Sequence, residues 1–165
     1  MKVERFPFTI RSESEELTSH VGEMIARRAF TGLAILLEGD LGAGKTVLVR
    51  GCCLALGCSN IRSPSFTLVN VYECDGRTVV HSDLYRLSFV DPSELDMDHY
   101  MDVADVIFIE WADRGTPWDF SQLWRISFAF TGEDDERELT FSAEGEMAKR
   151  ALEQLFLDMK RELYL

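Results

Sequence analysis

Positive charge is scarce in this chain of 165 residues: 17 Lys and Arg stand against 29 Asp and Glu, a formal net charge of −12. Binding along a nucleic-acid backbone needs clustered cations that displace counterions. The balance therefore excludes a protein that wraps nucleic acid by itself, while leaving room for a small basic pocket. Cysteine is sparse as well. Cys52, Cys53, Cys58 and Cys74 form no C-x-x-C pair, and with His20, His81 and His99 they complete no zinc spacing. Adjacent Cys52 and Cys53 read as small packed fillers on a helix, and the thiols are expected to be reduced in a cytoplasmic protein. No apolar run reaches membrane-spanning length. The longest, residues 33–37 and 103–109 (the latter broken by Asp105), fall far short. The opening MKVERFPFTIRSESEE has no apolar core of signal-peptide type, and repeats and low-complexity tracts are absent.

What is there reads as one globular domain, residues 1–165, with 46% hydrophobic and 28% charged residues. Residues 6–10 alternate weakly, as a short first strand does. Ser12 with Glu15 three residues on forms a capping-box signal, and Leu17, Val21, Met24 and Ile25 share one helical face. Residues 33–37 form a continuous apolar run, the pattern of a strand covered on both faces. A helix is expected over 45–56, with Gly57 as its C-terminal glycine. Residues 66–73 and 78–81 are strand-like and joined through Asp75-Gly76, a hairpin signal. Asp91-Pro92-Ser93 looks like a helix start. Residues 106–109 form a second buried-strand run. Residues 124–130 and 139–141 suggest another hairpin, and a helix from about Glu144 closes the chain with Ala148, Ala151, Leu152, Leu155, Phe156 and Met159 as its stripe. Helices alternating with strands around two buried runs predict a three-layer α/β domain. Its central sheet should be mixed and mostly parallel, with antiparallel hairpin additions.

The sharpest feature is Gly39-Asp40-Leu41-Gly42-Ala43-Gly44-Lys45-Thr46, which matches G-x-x-x-x-G-K-[ST] between a buried strand and an apolar helix. Gly39, Gly42 and Gly44 let the main chain curl so that several N–H groups face one anion, and the helix start adds its positive end. Lys45 supplies a charge for the β- and γ-phosphates, and the Thr46 hydroxyl is placed to ligate Mg²⁺. The motif implies a nucleoside triphosphate. The lack of any N-K-x-D sequence favours ATP over GTP.

Phosphoryl transfer also needs acids. Glu110 ends the run 106–109 at the carboxyl edge of a central strand, where a metal-serving acid belongs; the plainer alternative is a strand-end surface acid. Asp83 lies beside His81, Tyr85 and Arg86, and could equally be a turn residue. His81 alone is more often a packed histidine than a catalyst. Ser63, Ser65 and Thr67 follow the phosphate-loop helix, where switch segments sense a γ-phosphate; an ordinary Ser/Pro loop has the same composition.

These blocks occur together in one family. With His81-Ser-Asp-Leu-Tyr-Arg-Leu87, Asp91-Pro-Ser-Glu-Leu95 and Ile109-Glu-Trp-Ala-Asp113 added to the phosphate loop and to Ser63-Pro-Ser-Phe-Thr-Leu-Val69, the sequence resembles the bacterial TsaE (YjeE) family over residues 33–113. The resemblance implies a P-loop ATPase that binds ATP or ADP with Mg²⁺ and hydrolyses ATP slowly alone. It implies action on the TsaD–TsaB complex in threonylcarbamoylation of tRNA adenosine 37, with tRNA met only through those partners and no membrane involved. It places Thr46 and Glu110 on Mg²⁺, Asp83 at the γ-phosphate or the metal's water shell, and Lys45, Asp83 and Glu110 in the catalytic role. Thr18 and Arg137 fall near the nucleotide by the same resemblance. The chain departs from the family at Ser65 (usually Thr), at Ser82 (usually Phe) and after Leu95, where a glycine-containing stretch is shortened. Two other functions use the same loop. A small-molecule kinase would need an Arg-bearing lid, and none is visible between Asp83 and Glu110. A nucleotide-gated binding module would need no turnover.

Overall fold

The computed structural model describes residues 6–58, 61, 69–83, 95–111 (for Trp111 the backbone only) and 118–165. Chain order is β1 (Phe8–Ser12), α1 (Glu15–Ala26), β2 (Ala34–Glu38), α2 (Lys45–Ala55), β3 (Val69–Cys74), β4 (Arg77–Asp83), α3 (Met97–Val103), β5 (Val106–Trp111), β6 (Leu123–Phe130), β7 (Arg137–Glu144) and α4 (Glu146–Glu162). The seven strands form one sheet in the order β1-β7-β6-β2-β5-β4-β3. Its centre, β6-β2-β5-β4, is parallel, while β1-β7, β7-β6 and β4-β3 pair antiparallel. The fold is thus a mixed α/β sheet whose hairpins flank a parallel core.

Strand alternation sorts the core into two layers. Leu33, Ile35, Leu37, Val79, Phe108, Trp124 and Ile126 pack with α1, α2 and α4 on one face. Ala34, Leu36, Val80, Ile107 and Ile109 pack with Met97 of α3 and with Phe120 on the other. The central strands are buried on both faces, which is why β2 reads as an unbroken apolar run. The stripe of α4 is buried as its periodicity requires, and Trp124 donates its indole N–H to the Ala148 carbonyl at 2.8 Å. The end of α2 carries two C-terminal bonds, from Cys58 N to Cys53 O (2.9 Å) and from Gly57 N to Leu54 O (3.1 Å). Asp75 (φ 49°) and Gly76 (φ 80°) make the two-residue turn of the β3–β4 hairpin.

Three local expectations shift. Helix α1 is capped by Ser14, whose hydroxyl accepts from Leu17 N at 3.1 Å. Ser12 is instead the last residue of β1, paired with Arg137. Helix α4 begins after Glu144, because that residue ends β7 opposite Leu123. The expectation of four free thiols is corrected for one pair: Cys58 and Cys74 are disulfide-bonded, their Cα atoms 4.7 Å apart, within bridging reach. The segment after α2 folds back against the hairpin turn and brings them together. Cys52 and Cys53 are free and buried. The helix start at Asp91-Pro92-Ser93 lies outside the described residues. Among those described, no helix is long and apolar enough to cross a membrane.

Candidate functional site

The carboxyl ends of β2, β4 and β5 lie at one edge of the sheet, together with the starts of α1 and α2 and the β6–β7 turn. In open α/β sheets this is where ligands collect. The phosphate loop leaves β2 here. Its glycines hold positive φ, 147° at Gly39, 81° at Gly42 and 104° at Gly44, the N-cap of α2. A side chain at these torsions is strained, so glycine is required for the curl. Ala43 N donates to Asp40 O at 3.0 Å. Leu41 stands almost wholly exposed at the tip. Lys45 turns its ammonium back along the loop and donates to Gly39 O at 2.6 Å.

Across from the loop, Glu110 at the end of β5 is only 7% exposed. Its Oε1 accepts from Thr46 Oγ1 at 3.3 Å and lies 3.1 Å from His81 Nε2. Burial pushes the Glu110 carboxyl up; the His81 hydrogen bond and charge, the Lys45 ammonium and the Thr46 hydroxyl more than offset it, holding the group below the usual carboxylate range. Glu110 is therefore ionised at neutral pH, beside the hydroxyl of the phosphate-loop threonine. Asp83 is in register with Glu110 on the neighbouring strand.

The loop, Lys45, Thr46, Asp83 and Glu110 thus come together at one edge. Thr18 and Arg137 border a hollow against Gly42, Ala43, Gly44, Val47, Glu15 and Asp135. The Thr18 hydroxyl is turned inward, to Ser12 Oγ at 2.7 Å and Ser14 O at 3.3 Å. Its methyl is what approaches Gly44. Arg137 lies with its guanidinium 4.3 Å from the Phe130 ring centre and donates to Glu136 O (2.8 Å) and Gly42 O (3.4 Å). It therefore ties the β6–β7 hairpin to the phosphate loop. Ser63, Ser65, Thr67, Tyr85 and Arg86 lie outside the described residues. Pattern reading underweighted His81. It sits two residues before Asp83, so strand alternation puts both on one face, and that spacing was the available signal.

The donor set fits a small hard cation. One hydroxyl and one ionised carboxylate converge where phosphates would lie. Among the described residues no cluster of three His, Cys, Asp or Glu could hold a metal unaided. A cation here would share its shell with phosphate oxygens and water, as Mg²⁺ does.

Residues 12–139 match the model of the family described as threonylcarbamoyl adenosine biosynthesis protein TsaE, a span that contains every described site residue above. The chain belongs to the TsaE family. It is 35% identical over 147 residues to the tRNA threonylcarbamoyladenosine biosynthesis protein TsaE of Bacillus subtilis, covering 88% of this chain and 91% of that protein. It is 41% identical over 110 residues to the TsaE of Aquifex aeolicus, covering 65% of this chain and 78% of the relative. Among solved structures it is similar to the crystal structure of Bacillus subtilis YdiB, with a TM-score of 0.73 and 28% identity, covering 92% of this chain and 95% of that one. This TsaE family member therefore matches the Bacillus subtilis TsaE in sequence, and YdiB in fold, over most of its length.

Proposed function

We propose that residues 1–165 act as one Mg²⁺-dependent ATPase domain in threonylcarbamoylation of tRNA adenosine 37. It works in the cytoplasm on the TsaD–TsaB complex and hydrolyses ATP slowly without those partners. The observation that carries the nucleotide chemistry is the meeting of Thr46 and Glu110 at 3.3 Å beside the Lys45 loop. The pathway rests on the family and on the names of its relatives. The loop amides and the start of α2 bind the phosphates of ATP or ADP. Lys45 leaves Gly39 O for the β- and γ-oxygens. Thr46 and Glu110 would hold Mg²⁺, which supplies neutralisation of charge on the transferring phosphoryl group. Asp83, in register with Glu110, would serve the γ-phosphate or the metal's water shell. A net charge of −12 supports contact with tRNA through the partners alone.

Lys45→Ala tests this. A charged hydrogen bond contributes about 1.5–3 kcal/mol, offset by about 1 kcal/mol for the Gly39 contact given up. The balance of about 0.5–2 kcal/mol should lower ATP affinity by calorimetry roughly 2- to 30-fold, and tRNA modification reconstituted with TsaD and TsaB should stall. Modification that runs equally well with Lys45→Ala refutes the proposal.

A further inference from the structure

We infer that His81 is a positioning residue that holds the Glu110 carboxylate in place for the metal, an inference that rests on the Mg²⁺–nucleotide reading of this site. The His81 ring is fully buried. It stands on β4 opposite Phe108, one same-face position before the Asp83–Glu110 pair. On that face Val79, Val106 and Phe108 beside it are all in the core, and Asn70 of β3 stands opposite it. A residue needed only to fill this space would be apolar, because an imidazole buried without partners loses its hydrogen bonds to water. His81 has one polar attachment among the described residues. Nε2 lies 3.1 Å from Glu110 Oε1, while Nδ1 is buried with no hydrogen-bond partner among the described residues. An ionised carboxylate only accepts, so Nε2 is the nitrogen that carries the proton.

Thr46 Oγ1 donates to the same oxygen at 3.3 Å. Oε1 is therefore held from two sides, by β4 through His81 and by the first turn of α2 through Thr46. Oε2 takes no hydrogen bond from the described residues. A glutamate at a strand end has three side-chain torsions to order before it can meet a ligand. The buried ring restricts that rotation in advance, the office that outer hydrogen-bond partners perform for metal-ligating carboxylates.

The test is the Mg²⁺ concentration that half-saturates binding of a fluorescent mant-ADP, in the wild type and in His81→Leu and His81→Gln. Leu fills the space without a donor; Gln can present an amide N–H near the former Nε2. His81→Leu should raise the half-saturating Mg²⁺ about tenfold, and His81→Gln should stay within about twofold of wild type. Binding of mant-ADP in EDTA should be alike in all three. An unmoved midpoint in His81→Leu, or an equal rise in both variants, overturns the inference. Should His81→Leu fail to fold, the ¹⁵N spectrum of the wild-type imidazole decides: a proton on Nε2 supports it, and a ring protonated only on Nδ1 overturns it. A wild type whose nucleotide uptake ignores Mg²⁺ removes the parent reading of the site as well. An unmoved His81→Leu in a Mg²⁺-dependent wild type removes only this one.

Discussion

Replacing Gly51 with Ala sets two ordinary effects against each other. Gly51 lies inside α2, where the exchange should favour the helix by about 1 kcal/mol. Yet an ideal Cβ on Gly51 would lie 2.0 Å from the Ser19 carbonyl oxygen and 2.8 Å from its carbon. The contact is reciprocal, since a Cβ on Gly22 of α1 would lie 2.1 Å from Leu48 O. Helices α1 and α2 therefore cross backbone to backbone on two glycines. A carbon needs about 3.3 Å or more from a carbonyl oxygen, so over 1 Å is missing, and the obstacle is main chain.

The helices must then part by on the order of 1 Å, and a gap of that size forfeits roughly a quarter to a half of each dispersion contact across it. Val21, Ile25, Leu48 and Cys52 are all fully buried around this interface. Overpacking of about 1–3 kcal/mol plus those losses outweighs the helix gain, leaving a net destabilisation of about 2 kcal/mol. For a chain of this size that lowers the melting temperature by roughly 4–8 °C. Because α2 begins at Lys45 and Thr46, and Thr18 of α1 abuts Gly44, ADP affinity should fall with stability. Denaturant melts at matched m-values and calorimetry read both. The double variant with Gly22→Ala should cost less than the two singles summed, the helices being already apart. A Gly51→Ala protein that unfolds at or above the wild-type midpoint refutes the reasoning.

Two further predictions concern the helix layer. Asp158 is buried and accepts from Arg28 Nε at 2.6 Å and Nη2 at 2.9 Å, and from Arg161 Nη2 at 2.6 Å. The Arg28 hydrogen bond holds its carboxyl below the ordinary range; burial opposes this, and Arg161 assists. A depressed folded pKa contributes stability that is complete above the unfolded value near 4 and is lost as pH falls through the folded one. Asp158→Asn should therefore cost about 1–2 kcal/mol at pH 7, the arginines being partly solvated. The difference should shrink below about pH 4; a pH-independent difference in urea midpoints contradicts this. Burial raises the Cys52 thiol, with Cys53 beside it adding to the rise, and pushes Cys53 up to about 12. A thiol-reactive reagent at pH 8 should therefore label neither until the protein unfolds, and fast labelling of native protein would count against this packing.

Much of the fold was legible because its signals are local. The apolar run of β2, the glycine spacing of the loop, Gly57 after α2 and the Asp75-Gly76 turn each act through a few neighbouring residues. What escaped pattern depended on partners far away in the chain. Ser12 scores as a helix cap until its pairing with Arg137 makes it strand. Helix α3 has seven residues, of which only Met97 is buried, too few turns for a periodicity to show. Cys58 and Cys74 meet because the residues just after α2 lie against the β3–β4 turn. The bond between His81 and Glu110 spans 29 residues and exists only once β4 and β5 lie side by side.

The same distance dependence explains how an acidic chain could hold the triphosphate proposed for it. Net charge counts side chains over the whole surface, whereas an anion in the loop meets main-chain N–H groups and the half charge of a helix start, neither of which enters that sum. Lys45 adds one full charge. Around it, Arg137, Glu15 and Asp135 border the hollow, and Glu110 and Asp83 end the neighbouring strands. A bare triphosphate would meet at least as much negative as positive charge. A divalent cation between phosphate and Glu110 reverses the sign of that encounter, turning a repelling carboxylate into a ligand. The acid excess that keeps an RNA backbone away over the general surface is thus compatible, at this one sheet edge, with a site selective for nucleotide that arrives with its metal.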